Sequence, residues 1–110
     1  MARFENNMGI SSIEIPNKKC HCFCTIGKKW CTYQFAIAME PDEVIPDYLE
    51  VEQYMEDNIE GQQMTIEVAV ANVADYIANE YKPKYLQVSV YCDDAKHFPV
   101  NVTVIKEGQE

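Results

Sequence analysis

Apolar and polar positions alternate from Lys18 to Thr25, with Cys20, Cys22 and Cys24 on one face and His21 and Phe23 on the other. A period of two is the mark of a β-strand. Ile26-Gly27-Lys28-Lys29 reads as a turn, and Trp30 to Met39 as a second strand. There Cys31, Tyr33, Phe35, Ile37 and Met39 share one face, and the smaller, more polar Thr32, Gln34, Ala36 and Ala38 share the other. The two strands predict an antiparallel hairpin.

The period then changes. Glu40-Pro41-Asp42-Glu43 breaks the strand, and Asp47 with Glu50 three residues later forms a capping-box pattern. Val51, Tyr54, Met55 and Ile59 fall on one face of the first helix, which Glu60-Gly61 ends. Thr65 caps a second helix whose stripe is Ile66, Ala69, Val70, Val73, Ala74 and Ile77, closed by Lys82-Pro83. Leu86, Val88 and Val90 alternate within a third strand from Tyr85 to Tyr91. After the turn Asp93-Asp94-Ala95-Lys96, Phe98, Val100, Val102 and Val104 mark a fourth. The order ββααββ predicts an α+β fold, an antiparallel four-stranded sheet with both helices on one face. Residues 18–106 form the single expected domain, with 1–17 as a polar, partly disordered arm and 107–110 as a tail. Such a sheet leaves two edges open, and edge-to-edge closure of several subunits into a ring would remove them. A homo-oligomer is therefore expected.

Composition narrows the partners. The 110 residues carry a net charge of −9, which disfavours direct contact with a nucleic-acid backbone. No apolar run is long enough to span a membrane, and Met1 to Asn7 lacks a signal-type apolar region. Five cysteines, an odd number, point to free thiols in a reducing cytoplasm.

Two residues carry candidate chemistry. Cys24, at a strand end, offers a thiol nucleophile. Glu67, in the first turn of the second helix, offers a carboxylate that can accept two parallel hydrogen bonds from a guanine-like ring. By themselves both have plainer readings: a small, half-buried strand residue, and a first-turn acid favoured by the helix dipole. His97, beside the last turn, is a residue type suited to general acid-base work, although an exposed turn histidine is the commoner case. His21 lies on the face opposite Cys24. No metal site is expected from Cys20, Cys22 and Cys24, because successive same-face strand residues stand about 6.8 Å apart. Three in a row do not converge on one tetrahedral ion with bonds of about 2.3 Å.

The element order resembles the tunnelling fold (T-fold), whose members include GTP cyclohydrolase I, 6-pyruvoyltetrahydropterin synthase and the nitrile reductase QueF. That resemblance implies rings of subunits forming a β-barrel, with purine or pterin ligands bound between subunits and a Glu near the start of the second helix as anchor, here Glu67. Within the superfamily the chain most resembles QueF and the shorter archaeal QueF-like amidinotransferase. The resemblance rests on Phe23-Cys24-Thr25-Ile26-Gly27 with the strand to Pro41, on Leu49 to Asp57 with Glu60 to Val70, and on Lys82-Pro83-Lys84-Tyr85-Leu86-Gln87-Val88. It spans roughly Lys18 to Val104 and places the reactive cysteine on Cys24.

It implies an enzyme that binds 7-cyano-7-deazaguanine on Glu67, forms a covalent thioimide on Cys24 and converts it with ammonia to an amidine. His97 would act as acid-base group across a subunit interface, as a similarly placed His does in GTP cyclohydrolase I. Three departures from the QueF pattern and one from the cyclohydrolase pattern qualify this. Thr25 stands in place of the family's Pro. Cys31 stands in place of the Asp expected to transfer protons, and takes its position in the expected catalytic set. Asp47-Tyr48-Leu49-Glu50 replaces the Glu-Ser-Lys-Ser type motif of the reductases, so no nicotinamide cofactor is expected. Gly27 occupies the position of the cyclohydrolase zinc-binding His. Two alternatives stay open: an NADPH-dependent nitrile reductase, and a non-catalytic purine- or pterin-binding protein.

Overall fold

The computed structural model describes residues 4–108. Its elements run β1 (Phe4–Glu5), β2 (Ile13–Cys24), β3 (Lys29–Glu40), β4 (Val44–Ile45), α1 (Tyr48–Asn58), α2 (Ile66–Tyr81), β5 (Tyr85–Cys92) and β6 (Val100–Glu107). Four strands form one antiparallel sheet in the order β2-β3-β5-β6, so β3 of the first hairpin lies against β5 of the second. β1 and β4 make a separate two-stranded pair. Among the described residues no helix is long and apolar enough to cross a membrane.

The alternation read from the sequence sets the layers. Cys20 and Cys22, the odd positions of β3 from Cys31 to Met39, and Leu86, Val88 and Val90 are all buried. They pack in one core with Val51 and Met55 of α1 and the stripe of α2 from Ile66 to Ile77. Burial pushes the Cys20 thiol up to about 11 and Cys22 up to about 12. Both therefore stay protonated near neutrality and pack as small apolar residues.

Local signals fix the helix ends. Asp47 Oδ1 accepts from the Leu49 and Glu50 amides at 3.0 and 3.3 Å. Glu50 also ties the helices together: its Oε1 accepts from the Tyr81 hydroxyl at 2.6 Å, linking α1 to the end of α2. Thr65 Oγ1 accepts from the Val68 amide at 3.4 Å. Lys82 closes α2 in the left-handed region (φ 46°), and Pro83 prevents continuation.

Three boundaries differ from the sequence pattern. β2 starts at Ile13, not Lys18, so residues 13–17 belong to the sheet rather than to an arm. A register shift between Ile15 and Lys18 breaks the alternation, which hides Ile13 and Ile15 although they pair with Met39 and Ile37. β6 starts at Val100, leaving Phe98 outside it, because Pro99 has no amide to give to a ladder. It runs on through Glu107.

The β2 edge is not bare along its whole length. The connection between α1 and α2 pairs with it: Gly61 N donates to His21 O at 2.7 Å, Phe23 N to Gln62 O at 2.9 Å, and Met64 N to Phe23 O at 3.0 Å. This short parallel contact sets the start of α2 beside the end of β2.

Candidate functional site

The groups that face one another at this end of the sheet come from distant parts of the chain. β2 ends at Cys24 and turns tightly, with Lys28 N donating to Cys24 O at 2.7 Å and Lys28 at φ 59°. Inside that turn the Gly27 amide donates to Cys24 Sγ at 3.3 Å, which orients the sulfur. Across from it, the Tyr33 hydroxyl donates to Met64 O at 3.0 Å and holds the residues that lead into α2. Burial raises the Tyr33 pKa well above the usual phenol range, so the hydroxyl keeps its proton to donate.

Between these elements lies a cleft of about 310 Å³. Cys24, Cys31, Glu67 and His97 all line it, together with Tyr33 and Cys92. The four residues singled out in the sequence thus meet in one place. His21 does not join them: it is on the outer face, with Nδ1 3.4 Å from Glu60 Oε2. Glu67 is exposed in the first turn of α2, and among the described residues nothing bonds its carboxylate. The mouth is apolar, with Ile26 80% and Phe98 76% exposed.

His97 has a defined tautomer when neutral. Its Nδ1 lies 2.7 Å from the Phe98 carbonyl, which can only accept, so Nδ1 carries the proton. Nε2 is then the lone-pair nitrogen.

The sequence reading missed Cys92 and Asp94. The β3–β5 ladder stops at Gln34–Tyr91. Beyond it the Asp94 carboxylate takes over as acceptor for the Thr32 amide, at 3.0 and 3.1 Å, and also accepts from Cys92 Sγ at 3.3 Å. Burial works against ionisation of Asp94, but the bonds from Thr32 and Cys92 outweigh it and hold its pKa below the usual value. Burial raises Cys31, helped by the Asp94 charge, and pushes Cys92 up to about 11. Cys31, Cys92 and Asp94 bring two sulfurs and a carboxylate oxygen within 4.8 Å of one another. In the sequence Asp93-Asp94 reads only as a turn, and nothing in local spacing links it to Cys31.

No family model and no curated protein matches the chain. Solved structures do. An archaeosine synthase QueF-like in its apo form aligns with a TM-score of 0.79 at 17% identity, over 89% of this chain and 95% of that one. A putative dihydroneopterin aldolase from Vibrio cholerae O1 biovar El Tor aligns at 0.73 and 15% identity, over 92% and 100% of the two chains. A dihydroneopterin aldolase from Burkholderia thailendensis, bound to guanine, aligns at 0.63 and 15% identity, over 88% and 90%. At such identities the likeness establishes the fold, and the chain has the tunnelling fold.

Proposed function

We propose that the protein is a QueF-like enzyme acting on 7-cyano-7-deazaguanine. One observation carries this reading: Cys24 and Glu67, far apart in sequence, line one cleft sized for a bicyclic heterocycle. The archaeosine synthase likeness supports the reaction class, and the guanine in the Burkholderia aldolase supports a guanine-like ligand on this fold.

In this reading Glu67 accepts from the ring N–H and exocyclic amine of the base, fixing the nitrile toward Cys24. The Cys24 thiolate adds to the nitrile carbon, forming the C–S bond, while the nitrile nitrogen takes a proton to give the thioimide. Ammonia then adds to the same carbon, the C–S bond breaks, and the product leaves as the amidinium, carrying every proton of the ammonia, with Cys24 restored as thiolate. No oxidant or reductant is consumed, which separates this from reduction by NADPH. His97 Nε2 is the natural group to move protons at the cleft. Cys31 occupies the position of the family's acid.

The exposed Ile26 and Phe98 rim and the β6 edge are the surfaces a second copy would cover, so the working form is a homo-oligomeric ring. The five free thiols suit a reducing cytoplasm.

A second reading is favoured by Cys31 itself. A thiol with a raised pKa is a poor substitute for a carboxylate in proton transfer, which fits a binding protein without turnover. Intact-protein mass spectrometry separates the two. Incubation with 7-cyano-7-deazaguanine should add one ligand mass to the wild type and nothing to Cys24→Ala. Discharge of that adduct by ammonia completes the case; discharge only with NADPH would make the protein a reductase. A folded oligomer that forms no adduct would sink the enzymatic reading.

A further inference from the structure

We infer that Cys31, Cys92 and Asp94 form a binding site for a zinc-class divalent ion in the wall of the cleft. Cys31 comes from β3, Cys92 from the end of β5, and Asp94 from the turn that follows. Their sulfurs and a carboxylate oxygen lie within 4.8 Å of one another. Sulfurs around a tetrahedral zinc, bonded at about 2.3 Å, stand about 3.8 Å apart.

The donor set decides the class of ion. Two thiolates with one carboxylate are too soft for magnesium or calcium and suit zinc. Three protein ligands leave a fourth position for water or substrate, the pattern of reactive rather than structural zinc. Cys31 and Cys92 both line the cleft, so an ion on their sulfurs would meet whatever occupies it. The Thr32 amide, bonded to both Asp94 oxygens, provides the outer support that orients a ligating carboxylate. Convergence comes from two adjacent strands and the turn after one of them, not from a row of cysteines on one strand. The site is independent of the nucleophile reading, because Cys24 is not among its ligands.

Zinc and cobalt titrations of the reduced 110-residue protein test this. The wild type should bind one ion per chain. The cobalt form should show thiolate-to-metal charge transfer and the intense visible bands of tetrahedral coordination. Cys31→Ser and Cys92→Ser should lose the charge-transfer intensity. Asp94→Asn, which keeps both thiols, should weaken binding by more than the roughly 10- to 100-fold that loss of an outer-shell partner costs. Cys24→Ser should bind as the wild type does. Failure of the folded wild type to bind one equivalent would overturn the proposal. So would affinity unchanged in Asp94→Asn, or lost only in Cys24→Ser. Metal content is read separately from covalent capture, so either result stands without the other.

Discussion

The two ends of α2 treat polar groups in opposite ways. Toward its C-terminal end, Tyr81 donates to Glu50, and Tyr76 stacks on Tyr54 with centroids 4.1 Å apart; further back the Tyr54 hydroxyl donates to Asn72 O at 3.3 Å. Polar groups there find partners within the chain, as half-buried groups must. At the N-terminal end, the Thr65 hydroxyl caps the helix, but Glu67 lines an open cleft together with Cys24 and His97. One helix thus has an end whose carboxylate partner is tied to the chain and an end whose carboxylate lines an open cleft. The first stabilises the fold, and the proposed function gives the second a binding role.

Substitutions at the two ends should separate these roles. The largest expected effect is on ligand binding. Glu67→Gln, measured by calorimetry in a Cys24→Ala background, should lower affinity for 7-cyano-7-deazaguanine by about 1.5–3 kcal/mol, roughly 10- to 150-fold. Its urea unfolding should stay within about 0.5 kcal/mol of the parent. A large stability loss would place Glu67 with the structural groups and erase the contrast. Tyr81→Phe should do the reverse. Losing the 2.6 Å bond to Glu50 should destabilise the fold by about 1–2 kcal/mol, with ligand affinity unchanged.

The smallest effect concerns pH. Asp94 is held below its ordinary pKa in the folded state. Its stabilising contribution is therefore fully present above the unfolded carboxylate value, about 4, and is lost as pH falls through the lower folded value. The thermal midpoint of the wild type should exceed that of Asp94→Ala at neutral pH, and the gap should close toward strongly acidic pH. A gap that does not change with pH would show that the charge on Asp94 contributes nothing.

Much of the architecture was legible without coordinates. The alternation in β3 gave every buried position from Cys31 to Met39, and the stripe of α2 gave its buried face. Thr65 and Lys82-Pro83 marked the ends of α2. Where the reading slipped, a local feature masked the period. The irregularity between Ile15 and Lys18 hid the first turns of β2, and the two-residue pairing of β1 with β4 is too short to leave any period.

The site was legible only in part. Cys24, Cys31, His97 and Glu67 stood out through residue type and resemblance, and all four line the cleft. Nothing in the sequence placed Cys92 and Asp94 beside Cys31, or paired Gly61–Met64 with the edge of β2. Periodicity acts over a few residues, because it reflects which side of a strand or helix each side chain takes. It therefore fixed the elements, their order and their buried faces. Which chemical groups meet depends on strand order, cross-strand register and the backbone bonds of a loop, all settled by contacts between residues distant in the chain. The β2–β3–β5 arrangement and the bonds from Phe23 to Gln62 and Met64 turned scattered thiols, a carboxylate and an imidazole into one cleft.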